Sequence, residues 1–199
     1  MFDKNKSIGL YVYPVNSEET DILIKASIKK HFSFNDDTFV QIARTPKGKP
    51  YVIAGERIFV SVTHSGEYCI IAVSTENVGV DLQIHDCLKN LTDVDVEKQL
   101  SKLSCRFFHQ YEQSYISKCT KEHFFDVLCA KESYVKYTGD GIDDNFNVFS
   151  VVSPGIEKLS NMWCSNGVCF EKVNFLDNYT LCVCSEEKRE IKLLKFLHL

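Results

Sequence analysis

Residues 57–86 constrain the fold more than any other part of the chain. They read RIFVSVTHSGEYCIIAVSTENVGVDLQIHD, which contains two apolar strands joined by a tight turn and then a short third apolar run. The third run places Asp81 between Val80 and Leu82, inside an apolar strand. Because an aspartate is rarely buried unless it is paired, we expect a cationic partner beside it. The alternative is a strand end at the surface, where Asp81 begins a turn.

Helices are predicted on both sides of this segment. A helix over residues 16–32 follows a strand at residues 8–15, with Asn16 as its N-cap and Glu19 as the capping-box partner. Later helices are predicted over residues 91–119 and 121–141, and the second should end at Gly139. Further strand-like runs lie at residues 37–44, 146–153, 167–175 and 179–185, and the apolar tail from residue 190 should dock on the core.

The order of these elements predicts an α+β fold with antiparallel sheets, because strands and helices are mixed rather than strictly alternating. The first half reads β-α-β-β-β and the second α-α-β-β-β, so the two halves resemble each other. We therefore expect a pseudo-dimer of two similar α+β halves, each a helix packed on a small antiparallel sheet. The predicted boundary separates an N-terminal half, residues 1–86, from a C-terminal half, residues 87–199.

Composition narrows the class of protein. The chain has 23 basic and 27 acidic residues and a formal net charge of −4, which argues against a nucleic-acid binder. No apolar run approaches the roughly 18 residues that a membrane helix needs, and the N-terminus lacks a small-residue cleavage site, so we expect a cytoplasmic protein. The 9 cysteines contain no C-x-x-C pair, so reduced thiols are expected rather than a zinc site or a disulfide framework.

Two pairs of polar residues are candidates for chemistry. Asp81 and Gln83 are two residues apart on a strand, so both project from the same face. Glu132 and Lys136 are four residues apart on a helix and share one face, which the apolar residues around them direct partly inward. The alternative for the helical pair is an exposed salt bridge, worth about 0.3–0.5 kcal/mol.

Two further features suggest a phosphate ligand. The sequence VTHSG places Thr63 and His64 where a strand enters a turn, and hydroxyl, imidazole and backbone N–H groups can bind phosphate there. Basic residues are concentrated in the first third of the chain: Lys25, Lys29, Lys30, Arg44, Lys47, Lys49 and Arg57. A basic patch on an acidic protein suggests an anionic ligand with several phosphates. Ordinary turn chemistry and solvated surface are the alternatives.

Five motifs follow one another in a fixed order: GKP at residues 48–50, THSG at 63–66, GVDLQ at 79–83, RFFHQYE at 106–112 and AKESYVKYTGDG at 130–141. Together they resemble the Sfp-type 4′-phosphopantetheinyl transferases, over about residues 21–185. The family's glycine, branched apolar residue, aspartate, apolar residue and glutamate match residues 79–83, except that Gln83 replaces the glutamate. The family's helical pattern matches Lys131, Glu132, Ser133 and Lys136, with Leu128 where tryptophan is usual.

The resemblance implies a Mg²⁺-dependent enzyme, a holo-acyl-carrier-protein synthase. It would move the 4′-phosphopantetheine arm of coenzyme A to a serine of an acyl or peptidyl carrier protein and release adenosine 3′,5′-bisphosphate. Coenzyme A and Mg²⁺, or Mn²⁺, would lie between the two halves. Asp81, Gln83 and Glu132 would hold the metal, and Lys136 would contact the same phosphates. The base that deprotonates the serine would be Glu132, directly or through a water, or Glu112.

The resemblance also implies the coenzyme A contacts. These are Lys25, Arg44, Gly48, Lys49, Pro50, Thr63, His64 and Lys136. In this scheme Thr63 and His64 contact the phosphates, with His64 near the 3′-phosphate, and the loop at residues 48–50 touches the adenine end. The carrier protein would bind near residues 106–115.

Several alternatives stay open at this point. The internal duplication suggests a monomer, and the tolerance of Sfp-type enzymes suggests a carrier of secondary metabolism. Because Gln83 brings no charge, the chain could instead be a non-catalytic coenzyme A or nucleotide-binding module with a weakened metal site. An unrelated α+β protein, whose polar residues merely cap strands, is the third alternative.

Overall fold

The computed structural model describes residues 7–53, 57–85, 92–116, 121–142, 145–156 and 158–194. The strands of this part of the chain are β1 (Ser7–Pro14), β2 (Gln41–Arg44), β3 (Pro50–Ile53), β4 (Phe59–Ser65), β5 (Tyr68–Ser74), β6 (Val78–Ile84), β7 (Met162–Ser165), β8 (Val168–Val173), β9 (Tyr179–Ser185) and β10 (Glu190–Leu194). Its helices are α1 (Thr20–Phe32), α2 (Asp93–Phe107), α3 (Gln110–Ile116) and α4 (Lys121–Thr138). Helices over mostly antiparallel sheets confirm the predicted α+β class.

The first sheet has the strand order β10-β1-β5-β4 and is covered by α1. The β1–β5 and β5–β4 pairs are antiparallel, and β10 lies parallel to β1. Leu23, Ile24 and Ile28 of α1 belong to the core cluster on this face of the sheet. The predicted N-cap is wrong: α1 is capped at Glu19 without a side-chain hydrogen bond, and Asn16 takes a positive φ of 62° before the helix begins.

The second sheet has the strand order β6-β9-β8-β7, all antiparallel, and is covered by α4. The turn between β7 and β8 is formed by Asn166 and Gly167, both at positive φ, as two-residue hairpins prefer. Ser165 and Val168 flank this turn, and at the next paired position Cys164 and Cys169 face each other and form a disulfide with a Cα–Cα distance of 4.1 Å. The expectation of reduced thiols throughout is therefore wrong for this pair.

The two sheets meet along β4 and β6, and side-chain hydroxyls join them where a backbone ladder is absent. The backbone N–H groups of Val80, Leu82 and Ile84 on β6 donate to the hydroxyls of Ser61, Thr63 and Ser65 on β4, at 3.1, 3.1 and 2.9 Å. Alternate residues of β4 thus satisfy the free donors of β6, which would be costly to leave unpaired in the interior. We call this line of three hydroxyls the hydroxyl seam.

Two strands lie in a different sheet from their neighbours in the sequence. β6 comes before the predicted boundary at residue 86 but lies in the second sheet, whereas β10, late in the chain, completes the first sheet. The division into residues 1–86 and 87–199 stays a prediction. Within the described residues, no helix is both long enough and apolar enough to cross a membrane.

Other sequence expectations differ from the structure in detail. The helix predicted over residues 91–119 is broken between α2 and α3 at Phe108 and His109, and residues 117–120 lie outside the described part. The strand predicted at residues 146–153 is irregular. The strand β7 was not predicted from the sequence. The apolar tail that was expected to dock on the core forms β10 as far as Leu194.

Candidate active site

Gly79 allows α4 to lie directly on β6. A β-carbon at this position would be 1.9 Å from the backbone oxygen of Ser133 and 2.5 Å from the backbone nitrogen of Tyr137, much closer than atoms can approach. Only a glycine fits there without moving the helix. This close approach brings the helical side chains Glu132 and Lys136 over the strand residue Asp81.

Asp81 is 1% exposed and is surrounded by donors. Its Oδ1 accepts from the Lys136 ammonium at 2.6 Å and from the Thr63 hydroxyl at 3.1 Å. Its Oδ2 accepts from the Gln83 amide nitrogen at 2.8 Å, and its backbone oxygen accepts from the Cys129 thiol at 3.0 Å. The cationic partner expected from the sequence is therefore present, and it is Lys136.

Glu132 is half-buried beside this carboxylate and hydrogen-bonds to it. Burial raises the pKa of Glu132 to about 7, the negative charge of Asp81 adds to the rise, and the Lys136 ammonium opposes it. The site therefore holds a carboxyl group, that of Glu132, which titrates near neutral pH. Such a group can exchange a proton with a substrate at physiological pH.

A cleft of about 440 Å³ opens above these groups. Glu132, Val135 and Lys136 of α4 line it together with the β2–β3 loop, residues of β4, Thr20 at the start of α1 and residues that follow α4. The residues predicted for coenzyme A that line the cleft are Arg44, Gly48, Lys49, Pro50, His64 and Lys136. The walls of the cleft therefore combine cationic side chains with glycine backbone that no side chain covers, and this combination suits a phosphorylated ligand.

Several residues that line the cleft interact with charged or polar neighbours. Arg44 forms an ion pair with Asp21 at 2.7 Å. Desolvation lowers the pKa of His64, and the nearby Lys136 ammonium lowers it further, so the imidazole is neutral at pH 7 in the ligand-free protein. Lys47 donates to the backbone oxygen of Asp140 beyond α4.

Lys49 joins the β2–β3 loop to the C-terminal end of α4. Its ammonium donates to the side-chain oxygen of Asn77 at 2.8 Å and to the backbone oxygen of Tyr137 at 2.7 Å. Asn77 also donates to the same backbone oxygen at 2.7 Å. Burial lowers the pKa of Lys49 to about 8. Sequence reasoning missed Asn77, because a polar residue in a turn gives no signal of a distant partner.

Two residues predicted for coenzyme A are not among the described residues that line the cleft. Thr63 is 3% exposed and belongs to the hydroxyl seam, where its oxygen contacts Asp81 and Leu82. Lys25 lines a separate shallow groove on α1 together with Lys29 and Lys30. Thr63 therefore lies beside Asp81 but does not line the cleft, whereas Lys25 lies apart from the site.

Glu112, the second candidate base, is fully buried in an ion pair with Lys131 at 3.0 Å. One of its carboxylate oxygens accepts from the backbone N–H of Val151 at 2.8 Å, and the other from that of His109 at 2.9 Å. Lys131 also donates to the backbone oxygen of Phe149 at 2.7 Å and lies 3.9 Å from the centre of the Phe149 ring. Glu112 therefore organises the irregular segment around residues 149–151 and is not among the described residues lining the cleft.

The oxygen donors beside the cleft fit a hard divalent cation. Asp81 and Glu132 supply two carboxyl groups in contact, and Gln83 adds an amide group. In the described parts of the chain, no three side chains of histidine, cysteine, aspartate or glutamate converge on one point. The protein would therefore supply two carboxylates, and phosphate and water oxygens the rest, which is how Mg²⁺ is usually bound.

A family model with the description 4′-phosphopantetheinyl transferase superfamily matches residues 77–184, more than half of the chain. The chain belongs to this superfamily. The matched region contains β6 and α4, and therefore Asp81, Glu132 and Lys136. The resemblance read from the sequence motifs is confirmed, and the unrelated structural protein is excluded.

Curated members of the family are similar to the chain at modest identity. The chain is 30% identical over 106 residues to the 4′-phosphopantetheinyl transferase gsp of Aneurinibacillus migulanus, an alignment covering 51% of this chain and 39% of that protein. It is 27% identical over 135 residues to a 4′-phosphopantetheinyl transferase of Bacillus subtilis, covering 66% and 55%. It is 23% identical over 172 residues to the transferase Sfp of Bacillus subtilis strain 168, covering 83% and 71%. The chain thus spans about half the length of the first two relatives.

Proposed function

We propose that this chain transfers 4′-phosphopantetheine from coenzyme A to a serine of an apo carrier protein and releases adenosine 3′,5′-bisphosphate. The reaction would require Mg²⁺ or Mn²⁺. The observation that carries the proposal is the convergence of Asp81, Glu132 and Lys136 beside a cleft whose other walls carry cations. Membership of the superfamily supports the same reaction.

The cleft suits coenzyme A as the donor. Its volume of about 440 Å³ lies in the range of small-molecule sites. Arg44 and His64 would bind phosphate groups on one wall, while Lys136 would contact the pyrophosphate on the other. The loop at residues 48–50 presents open backbone to the adenine end.

The proposed chemistry is attack by the serine oxygen on the phosphorus that carries pantetheine. A new phosphoester bond forms, and the bond from this phosphorus to the bridging oxygen of the pyrophosphate breaks. A divalent cation held by Asp81, Gln83 and Glu132 would neutralise charge on the phosphates as this bond breaks. Lys136 would stabilise the charge that develops on the leaving phosphate.

Glu132 is the proposed base for the serine proton, directly or through a water. The pKa near 7 belongs to the ligand-free protein. A cation bound by Glu132 would lower this pKa and make the carboxylate a weaker base, so transfer of the proton through a water is favoured. Glu112 is less well placed for this role, because both its oxygens already accept backbone hydrogen bonds in a buried ion pair. We propose that Glu112 holds Lys131 and the segment at residues 149–151 in position.

The proposed partner is an acyl or peptidyl carrier protein of secondary metabolism, and the proposed state of the enzyme is a monomer. Both walls of the cleft come from one chain, so a second copy is not needed to complete it. Arg106, Phe107 and Tyr111 are exposed on α2 and α3, which offers a basic and apolar surface for an acidic carrier helix.

Intact mass spectrometry of a carrier protein tests the proposal. Purified protein, coenzyme A and an apo carrier are mixed with Mg²⁺ or with EDTA, and a metal-dependent gain of one phosphopantetheine is expected. The variant Asp81→Ala should abolish the gain while its circular dichroism spectrum is retained. Binding of coenzyme A without transfer to any of several carriers would instead favour the non-catalytic module, for which the neutral Gln83 is the supporting observation.

A further inference from the structure

We infer that Thr63 is a positioning residue that orients the Asp81 carboxylate for the metal, and that it does not bind coenzyme A. This inference rests on the proposed function. It differs from the role that the family pattern suggests for this position, which is contact with the phosphates of coenzyme A. The number of hydrogen bonds that the Thr63 hydroxyl can form, and its neighbours in the hydroxyl seam, support the positioning role.

The only proton of the Thr63 hydroxyl is already used in a hydrogen bond to Asp81. A hydroxyl offers one donor and two acceptor lone pairs. The Thr63 oxygen donates to Asp81 Oδ1 at 3.1 Å and accepts from the backbone N–H of Leu82 at 3.1 Å. With the side chain only 3% exposed, no donor is left for a phosphate in the cleft.

Thr63 is also the fixed partner of Asp81. Lys136 and Gln83 also donate to this carboxylate, at 2.6 and 2.8 Å, and Glu132 hydrogen-bonds to it, but all three side chains are partly exposed. All three are expected to contact ligands in the proposed reaction, so their hydrogen bonds to Asp81 change when substrate binds. Thr63 is held by β6 and keeps one carboxylate oxygen in place while the other partners move. Such outer partners usually matter nearly as much as the ligands themselves.

The hydroxyl seam provides a matched control. Ser65 accepts from the backbone N–H of Ile84 at 2.9 Å, just as Thr63 accepts from that of Leu82. Ser65 is not among the described residues lining the cleft. Removal of the Ser65 hydroxyl therefore weakens the junction of β4 and β6 without changing the environment of Asp81.

The experiment compares the wild-type protein with Thr63→Val, Thr63→Ser and Ser65→Ala. The Kd of Mn²⁺ for the complex with coenzyme A, in the absence of carrier, is measured from the loss of the electron paramagnetic resonance signal of free Mn²⁺. The Kd of coenzyme A is measured in EDTA. The rate of transfer to a carrier protein is measured separately. Thr63→Val should weaken Mn²⁺ binding by about tenfold or more and leave the Kd of coenzyme A in EDTA unchanged. Thr63→Ser should restore Mn²⁺ binding, and Ser65→Ala should keep the wild-type value.

Each contrary outcome has a distinct meaning. An unchanged Mn²⁺ affinity in Thr63→Val, or an equal loss in Ser65→Ala, overturns the positioning role. A loss of coenzyme A binding in EDTA with normal Mn²⁺ binding overturns it in favour of phosphate contact. A wild-type protein that neither binds Mn²⁺ nor transfers the arm refutes the proposed function itself. If Thr63→Val does not fold, Thr63→Cys, whose thiol is a weak donor, replaces it in the same comparison.

Discussion

Replacement of Glu132 by glutamine should remove a pH dependence from the stability of the metal-free protein. Folding raises the pKa of Glu132 from 4.5 to about 7, so the folded state binds more protons than the unfolded state between these values. The free energy of unfolding should therefore fall as the pH rises through this window, and the effect is complete above pH 7. At about 1.4 kcal/mol per pH unit, the total is about 3 kcal/mol. Glutamine carries no charge at any of these pH values and can still donate to Asp81.

Urea unfolding in EDTA at pH 5, 6, 7 and 8 measures this effect, with each protein compared at the same pH. Glu132→Gln should gain stability relative to wild type as the pH rises, up to about 3 kcal/mol near pH 8. The exposed Glu97 on α2 provides the control, because Glu97→Gln should stay parallel to the wild-type curve. A difference between Glu132→Gln and wild type that is constant from pH 5 to pH 8 would refute the assignment of the buried proton to Glu132.

Three further changes test other parts of the site. Gly79→Ala should lower the free energy of unfolding by about 1–3 kcal/mol, because the added β-carbon would collide with the backbone of α4. Urea denaturation measures this loss, and a stability equal to that of the wild type would contradict the close approach of α4 to β6. Lys49→Met should raise the KM for coenzyme A more than it lowers kcat, because it releases the cleft loop from Tyr137; an effect on kcat alone would argue against this reasoning. Gln83→Glu should lower the Mg²⁺ concentration needed for half-maximal transfer, because it adds a charged ligand, and an unchanged metal titration would count against Gln83 as a ligand.

The parts of the site that were predictable from sequence depend on local periodicity. Glu132 and Lys136 are one helical turn apart, so their common face follows from helix geometry, and both contact Asp81 in the structure. The apolar neighbours of Asp81 indicated that it is buried, as the structure has it, but they left a strand end at the surface as an alternative. The environment of Thr63 was not predictable, because it depends on the lateral distance between β4 and β6, which no local pattern specifies.

The strand predicted at residues 146–153 is irregular in the structure for a similar physical reason. Their apolar alternation is typical of a strand, but side chains far away in sequence satisfy the backbone. Glu112 accepts from the N–H of Val151, Lys131 donates to the carbonyl of Phe149, and the Trp163 indole donates to the carbonyl of Val151. A buried ion pair and an indole thus replace the neighbouring strand. Sequence periodicity alone could not reveal these partners.

The exchange of strands between the sheets has a consequence for synthesis of the protein. Ser7 on β1 pairs with Glu190 on β10, so the first sheet stays incomplete until residues 190–194 have been translated. β6 likewise waits for β9. A nascent chain therefore exposes unpaired strand edges until those later strands have been made, and contacts between such distant residues form slowly. Expression at low temperature, or with added chaperones that cover these edges, should raise the yield of folded protein.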